Sequence, residues 1–183
     1  MTLLSTVRSR RMLRAHLQAL DAVPAAAVRL RAALGLVPAG RGTISFVPRD
    51  AAERTQAEII AATAGDAFLH NVVTQDVRGR STVRCWRRDG DLARLLADLV
   101  DITERLALAG FGAALRCVSV EFTEDGERRA RKLVLTYFFG RGAFAVSAYD
   151  GRAVAEYTME RRAREAVRGV VRVEALIPRQ ERA

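Results

Sequence analysis

The sequence is poor in the residues that build metal sites and disulfide frameworks. Of its 183 residues, 2 are cysteine and 2 are histidine. Cys85 and Cys117 form no CxxC pair, and His16 and His70 do not stand at metal-ligand spacing. Zinc sites need clustered cysteine and histidine ligands, and isolated buried thiols stay reduced inside a cell. The sequence therefore predicts no metal, no cofactor and two reduced, buried cysteines.

The short motifs of common catalytic sites are also absent. There is no GxxxxGK[ST] phosphate loop and no GxSxG nucleophile elbow. Gly110 and Gly112 follow a predicted helix and precede a predicted strand, whereas a dinucleotide fingerprint needs strand, loop and then helix. Asp98, Asp101 and Glu104 lie on the polar side of a predicted helix, which favours a solvated role. We predict a non-catalytic protein without catalytic residues, and a small enzyme with an unrecognised site is an alternative.

Long apolar runs are missing as well. No segment has the unbroken run of about 18 apolar residues that a membrane-spanning helix needs. Hydrophobic residues nevertheless make up 50% of the chain, which is enough to bury a core. We therefore expect a folded protein with no membrane span.

Acidic residues are outnumbered, since 30 basic residues face 21 acidic ones and give a net charge of +9. Lys132 is the only lysine. Arginine bonds phosphate in a bidentate fashion and stacks on bases, so its abundance favours RNA as the partner. Coding bias in a GC-rich genome also explains arginine in place of lysine, but it does not explain the net charge.

The first 20 residues contain no acid. When residues 8–20 are wound as a helix, arginines occupy one half of the wheel and aliphatic residues the other. A basic, hydroxyl-bearing, amphipathic start is typical of an organellar transit peptide. An ordinary surface helix and a basic arm on RNA are the alternatives, and this segment is also a candidate for contact with an anionic surface.

Residues 38–42, PAGRG, form the most convincing linker signal. They divide the chain into a basic helical extension, 1–42, and a single α+β domain, 43–183. The patterns predict helices at 25–34, 50–64, 91–109 and 151–168, the last capped by Asp150, and strands at 43–47, 81–87, 113–122, 130–139, 143–149 and 170–177. This order predicts a mostly antiparallel sheet with helices packed on one face.

Basic residues cluster with an aromatic one in the middle of the chain. Clustered arginines beside a stackable tryptophan are typical of an RNA surface. His70 has no partner in the sequence that would make it a general base, so we predict a structural role for it. The alternative to an RNA surface is that the tryptophan is buried in the core and the arginines pair with acids. The predicted RNA-binding residues are Arg78, Arg80, Arg84, Trp86, Arg87, Arg88, Arg128, Arg129, Arg131 and Arg141.

Residues 80–168 are predicted to run strand, helix, three strands, helix. Within them, residues 143–168 read AFAVSAYDGRAVAEYTMERRAREAVR, where an acidic residue opens a helix rich in alanine and then in basic residues. This order and texture resemble the ribosome hibernation-promoting factor family, whose small sheet backed by two helices binds the small ribosomal subunit. The resemblance implies a ribosomal partner.

These observations predict a non-catalytic, basic component of a ribosome or another RNA–protein assembly in the mitochondrial matrix. It would contact ribosomal RNA and neighbouring protein subunits. The cytoplasm of a GC-rich bacterium is the alternative location. An accessory subunit of a mitochondrial membrane-protein complex is the alternative function, ahead of the small enzyme.

Overall fold

A computed structural model describes residues 12–47, 61, 69–124, 131–152 and 154–174. The α-helices in the described residues are α1 (residues 12–18), α2 (Val23–Leu34), α3 (Leu92–Leu106) and α4 (Tyr157–Val167). The strands are β1 (Leu36–Phe46), β2 (Leu69–Gln75), β3 (Ser81–Arg87), β4 (Leu115–Glu124), β5 (Lys132–Phe138) and β6 (Ala143–Tyr149). Several predictions fall outside the described residues: helix 50–64 apart from residue 61, Arg128, Arg129 and the strand beyond residue 174.

The strands form one six-stranded sheet in the order β2-β3-β1-β4-β5-β6. Every neighbouring pair is antiparallel. The helices complete an α+β fold, and the predicted fold class is confirmed. β1 lies near the middle of the sheet, between β3 and β4.

The predicted linker at residues 38–42 is wrong, because this stretch lies inside β1. The pairing of β1 with β4 shifts register between Pro38 and Arg41, and Gly40 has a φ of 64°. A proline and a glycine in the left-handed region are tolerated within a sheet where a bulge interrupts the ladder. The turn-forming residues therefore mark an irregularity of a central strand.

One face of the sheet carries the core. Alternate side chains of β1, β3 and β5 are buried there, among them Ile44, Val83 and Leu135. The helices supply the opposing layer, in which Leu30, Leu99 and Ala163 are fully buried. None of the helices described in the structure has both the length and the apolar character that crossing a membrane requires.

The segment before β1 belongs to this layer. Leu17 and Leu20 are buried in the same hydrophobic cluster as the sheet residues. His16 Nδ1 lies 2.8 Å from the hydroxyl oxygen of Tyr137 on β5. Helix α2 ends at Gly35, whose φ of 69° is the left-handed conformation of a helix C-terminus. The apolar half of the predicted amphipathic helix is thus used in packing within the described residues.

Helix α3 follows its prediction closely. The Asp91 carboxylate accepts a hydrogen bond from the backbone N–H of Arg94 and caps the first turn. Leu95, Leu99 and Ile102 lie on the buried side of this helix. The leucine stripe was therefore a reliable signal of the core.

The predicted start of the last helix at Asp150 is wrong. Asp150 accepts hydrogen bonds from the backbone N–H groups of Arg152 and Val154, which makes a local turn. Helix α4 begins later, at Tyr157. The predicted last strand is represented in the described residues by two isolated parallel bridges, Phe144 of β6 with Val173 and Arg168 with Val171.

Arg87 is a buried cation that joins β3 to α3. Its residue exposure is 5%, because it alternates onto the same side of β3 as Val83. Its guanidinium donates to Asp89 at 2.9 Å and to Asp98 at 2.7 Å. The hydrogen bond from Arg87 holds the pKa of the Asp89 carboxyl below its ordinary value. The predicted nucleic-acid role of Arg87 and the predicted solvated role of Asp98 are both wrong.

A close approach of α3 to β1 fixes the position of the helix layer. A Cβ atom placed on Gly42 would lie 2.6 Å from Leu99 Cδ1 and 3.2 Å from the backbone oxygen of Ser119. Leu99 is fully buried and has little room to move. Glycine therefore lets α3 lie close to β1 here, and a larger residue would force Leu99 to shift.

We expect Gly42→Ala to lower the free energy of unfolding by about 1–3 kcal/mol through overpacking. Leu99→Ala alone should cost about 2–5 kcal/mol through a cavity. In the double variant the new methyl group enters that cavity, so the combined loss should be smaller than the sum of the two. Urea denaturation of the three variants checks this, with Gly140→Ala as the control because nothing lies near its added Cβ. Additive losses would contradict the contact.

We expect Arg87→Ala to lower the free energy of unfolding by about 1–3 kcal/mol, because it removes a buried side chain together with its hydrogen bonds. Arg88→Ala changes an exposed neighbour and should stay within about 0.5 kcal/mol. A carboxyl with a lowered folded pKa gives stability above its unfolded pKa and loses it as pH falls through the folded one. Stability measured against pH should therefore decline below about pH 4, and less steeply in Arg87→Ala than in the wild type. Equal acid sensitivity of the two proteins would contradict this assignment.

Candidate binding face of the sheet

The side of the sheet opposite the helices is the candidate binding surface. We call it the open face, because the helices α2, α3 and α4 described above pack on the other side. Its side chains are those that alternate with the buried ones, and nearly all of them are half-buried or exposed. The open face includes Arg41, Thr43, Ser45, His70, Val72, Thr82, Arg84, Trp86, Cys117, Ser119, Glu121, Lys132, Thr136 and Phe138.

Small hydroxyl side chains form the floor of the open face. Ser45 and Thr82 face each other across β1 and β3 with their oxygens 3.4 Å apart. Ser119 and Thr136 do the same across β4 and β5 at 3.0 Å. Such residues keep a sheet face shallow and retain donors and acceptors for a partner. These two pairs therefore give this part of the sheet small, polar side chains.

Cations outnumber carboxylates on this face. Arg41 Nη1 lies 3.3 Å from Glu121 Oε1, and Lys132 Nζ lies 3.6 Å from the same oxygen. Arg84 is exposed between Thr43 and Val72 and has no ion pair within the described parts of the chain. One carboxylate thus faces three cations, and the face carries a positive excess toward solvent.

Trp86 gives the face a large apolar surface. Its side of β3 points away from the helices, and 36% of the residue is exposed. The indole stacks on His70 of β2 with ring centroids 5.6 Å apart and planes 20° apart. The predicted structural role of His70 agrees with this stack. An exposed aromatic ring held by a neighbour is a typical anchor of a protein interface.

The turns beside β3 hold three more of the predicted binding residues. Arg78 and Arg80 lie between β2 and β3, and Arg80 forms a long ion pair of 3.9 Å with Asp76. Arg88 follows the end of β3 and is exposed. Arg78 and Arg80 therefore lie at one end of β3 and Arg88 at the other, with Arg84 and Trp86 on the strand between them.

Two other predicted arginines, Arg131 and Arg141, lie elsewhere in the described structure and form ion pairs. Arg131 contacts Glu124, and its Nη1 lies 3.9 Å from Glu156. Arg141 donates to Glu174 at 2.9 Å and lies over the ring of Phe138, 5.6 Å from the centroid. These pairs match the alternative reading in which arginines meet acids. The place of Arg41 on this face could not be predicted from the sequence, because its partner Glu121 is distant in the chain.

The cysteines occupy opposite sides of the sheet. Burial, the largest cause, raises the pKa of the Cys85 thiol to about 12. Burial also raises the pKa of Cys117, which is half-buried on the open face. Both thiols stay protonated near neutral pH, so neither is an activated nucleophile. Among the described residues, no group of three or more metal-ligating side chains is present.

Comparison with known proteins identifies a family. The model of the family described as "PspAB: PspA associated protein B" matches residues 1–178. No curated protein and no solved structure matches the sequence.

The match overturns several predictions made from the sequence. The resemblance to the ribosome hibernation-promoting factor family is wrong, because it rested on an order of elements that unrelated two-layer proteins share. The assignments to a ribosome or RNA–protein assembly and to an RNA partner are also wrong, because the matched family is described by its association with the protein PspA. The mitochondrial location is also wrong, since the family is bacterial. Because the match covers residues 1–178, the chain belongs to the PspA-associated protein B family.

Proposed function

We propose that this protein is a non-catalytic partner of PspA in the bacterial cytoplasm, and that its open face binds an acidic segment of PspA. The observation that carries the proposal is the family match over residues 1–178, since the family is named for its association with PspA. The open face supplies a surface with the properties that such an association needs.

Charge supports the choice of an acidic segment. Arg41 and Lys132 share the Glu121 carboxylate, and Arg84 has no ionic partner in the described structure. Carboxylates brought by a partner would pair with these groups at little desolvation cost, because all three cations are already exposed. Charge complementarity of this kind sets the rate and the specificity of association.

Trp86 supports a protein ligand in particular. The ring is exposed, but its stacking on His70 limits the rotamers that it must give up on binding. Tryptophan and arginine are the residue types that most often dominate interface energies. Arg84 and Trp86 are two residues apart on β3, so both point to the open face and would meet the same segment of a partner.

The non-catalytic part of the proposal is supported by the chemistry of the described side chains. The pKa of Cys85 is about 12, so its thiol is not a nucleophile at neutral pH. His70 Nε2 has no hydrogen-bond partner in the described structure, so no neighbouring group there is placed to exchange a proton with it.

We expect Arg84→Glu to weaken binding to PspA by at least about tenfold, because it reverses the charge of the one cation of the three that has no ion pair in the described structure. The matched control is Arg29→Glu, an exposed arginine on α2 in the opposite layer, which should bind as the wild type does. Calorimetric titration of PspA from the same bacterium into each variant measures the effect. Loss of binding by Arg29→Glu with no change in Arg84→Glu would place the site on the helix layer.

Trp86→Ala should also weaken binding at least about tenfold, as expected for an interface anchor. Its binding should keep the salt dependence of the wild type, whereas Arg84→Glu should flatten that dependence because ionic contacts are lost. Melting temperatures of both variants, measured beside the titrations, separate loss of contact from loss of fold. If neither variant changes the affinity while PspA still binds, the open face is not the site.

A further inference from the structure

The two edges of the sheet differ in how they are protected. On the β6 side, the backbone N–H of Phe144 donates to Arg172 at 2.8 Å, and the N–H of Glu174 donates to the oxygen of Phe144 at 2.9 Å. Residues 172–174 thus occupy part of that edge. At β2, by contrast, no strand in the described part of the chain pairs with the outer edge.

Strand β2 lacks the usual features that prevent an exposed edge strand from pairing with another chain. Its sequence is LHNVVTQ, without a charged residue or a proline. Its seven residues pair with β3 in one continuous register, so no bulge turns the edge aside. Exposed edge strands normally carry lysine, proline or a bulge, because free N–H and C=O groups invite pairing with another chain. Val72, at the middle of β2, is 46% exposed on the open face.

From these features we infer that β2 is the self-association edge of this protein: two copies pair β2 with β2, antiparallel, around a two-fold axis at Val72. The central position of Val72 makes the strand self-complementary about that residue. His70 would then stand opposite Thr74 of the second copy, and Asn71 opposite Val73. Such an isologous contact closes with two copies. The inference does not depend on the proposed function.

Charge favours a second copy at this edge over other parts of the surface. Each chain carries a net charge of +9, so two copies repel at most orientations. β2 is neutral, and the nearest cation on the open face is Arg84, opposite Val72 on β3. In the pair, the two Arg84 side chains are three strand spacings apart, about 14 Å, which exceeds the screening length at physiological salt.

The pair would create a symmetric surface on the open face. Arg84, Val72, Val72 of the second copy and its Arg84 would form one row across four strands. Two apolar side chains would lie at the axis with a cation at each end. The assembly would thus offer two equivalent copies of the Arg84 and Trp86 surface to a ligand.

The test is sedimentation velocity of the full chain over a range of concentrations. We expect a monomer–dimer equilibrium that shifts toward dimer as salt rises, because screening reduces the repulsion between two positive chains. Val72→Arg should raise the dimer dissociation constant at least about tenfold by placing like charges at the axis. Val72→Thr keeps a β-branched, neutral residue and should retain the dimer. Val28→Arg makes the same charge change at a 69% exposed site on α2 and should also retain it.

Hydrogen exchange provides an independent readout that does not need a variant. Amides of β2 that point to the outer edge should gain protection as the protein concentration rises, and amides of β4 should not. A monomer at every concentration and salt, or a dimer that Val28→Arg breaks and Val72→Arg leaves intact, would overturn the inference.

Discussion

The close contact between Gly42 and Leu99 is the constraint on which the rest of the structure depends. It lets α3 lie directly against the middle of β1, and β1 in turn holds the two halves of the sheet together. With α3 in that place, Arg87 of β3 reaches Asp98 on the helix, and the leucines of α3 fill the space above the sheet. A wider separation would open voids along the whole layer, because protein interiors tolerate few gaps.

The excess of positive charge is divided between two kinds of environment. Some arginines are structural, and Arg87 is the extreme case, since it is buried with its carboxylates. Others, such as Arg84, point to solvent with no acid near them in the described structure. A count of charges cannot separate these two groups. Only the second group is available to a partner, so the net charge alone does not show which arginines could bind one.

Much of the fold was predictable from the sequence, for local reasons. The leucine stripe of α3, the Asp91 cap and the alternation of β3 all depend on residues within one element, and each appears in the structure as expected. The failures came where tertiary contacts decide. Residues 38–42 have the composition of a linker, yet they lie in a central strand because the bulge absorbs Pro38 and Gly40. Asp150 has the composition of a helix cap, yet its nearest backbone donors belong to a turn.

The candidate site was predictable only in part. Alternation placed Arg84 and Trp86 on one side of β3, and the structure keeps them there. The same alternation assigns Arg87 to the other side, with Val83, so its burial could have been foreseen. The pairing of Arg41 with Glu121 and the stacking of His70 on Trp86 could not, because each joins strands that are distant in sequence. The family could not be predicted from the local patterns considered, because other basic two-layer proteins share them.

The bridge between β6 and Val173 bears on how many copies of the protein can associate through their sheet edges. β6 reads AFAVSAY, an uncharged and mostly apolar strand, and residues 172–174 cover part of its outer edge. In the proposed pair joined through β2, the other described edge of each sheet is partly covered in this way, which favours an association that closes at two copies. A chain shortened to remove the segment would present an edge on each side of the sheet. Strand addition would then have no closing geometry, and the same protein would become a unit of an open-ended fibre.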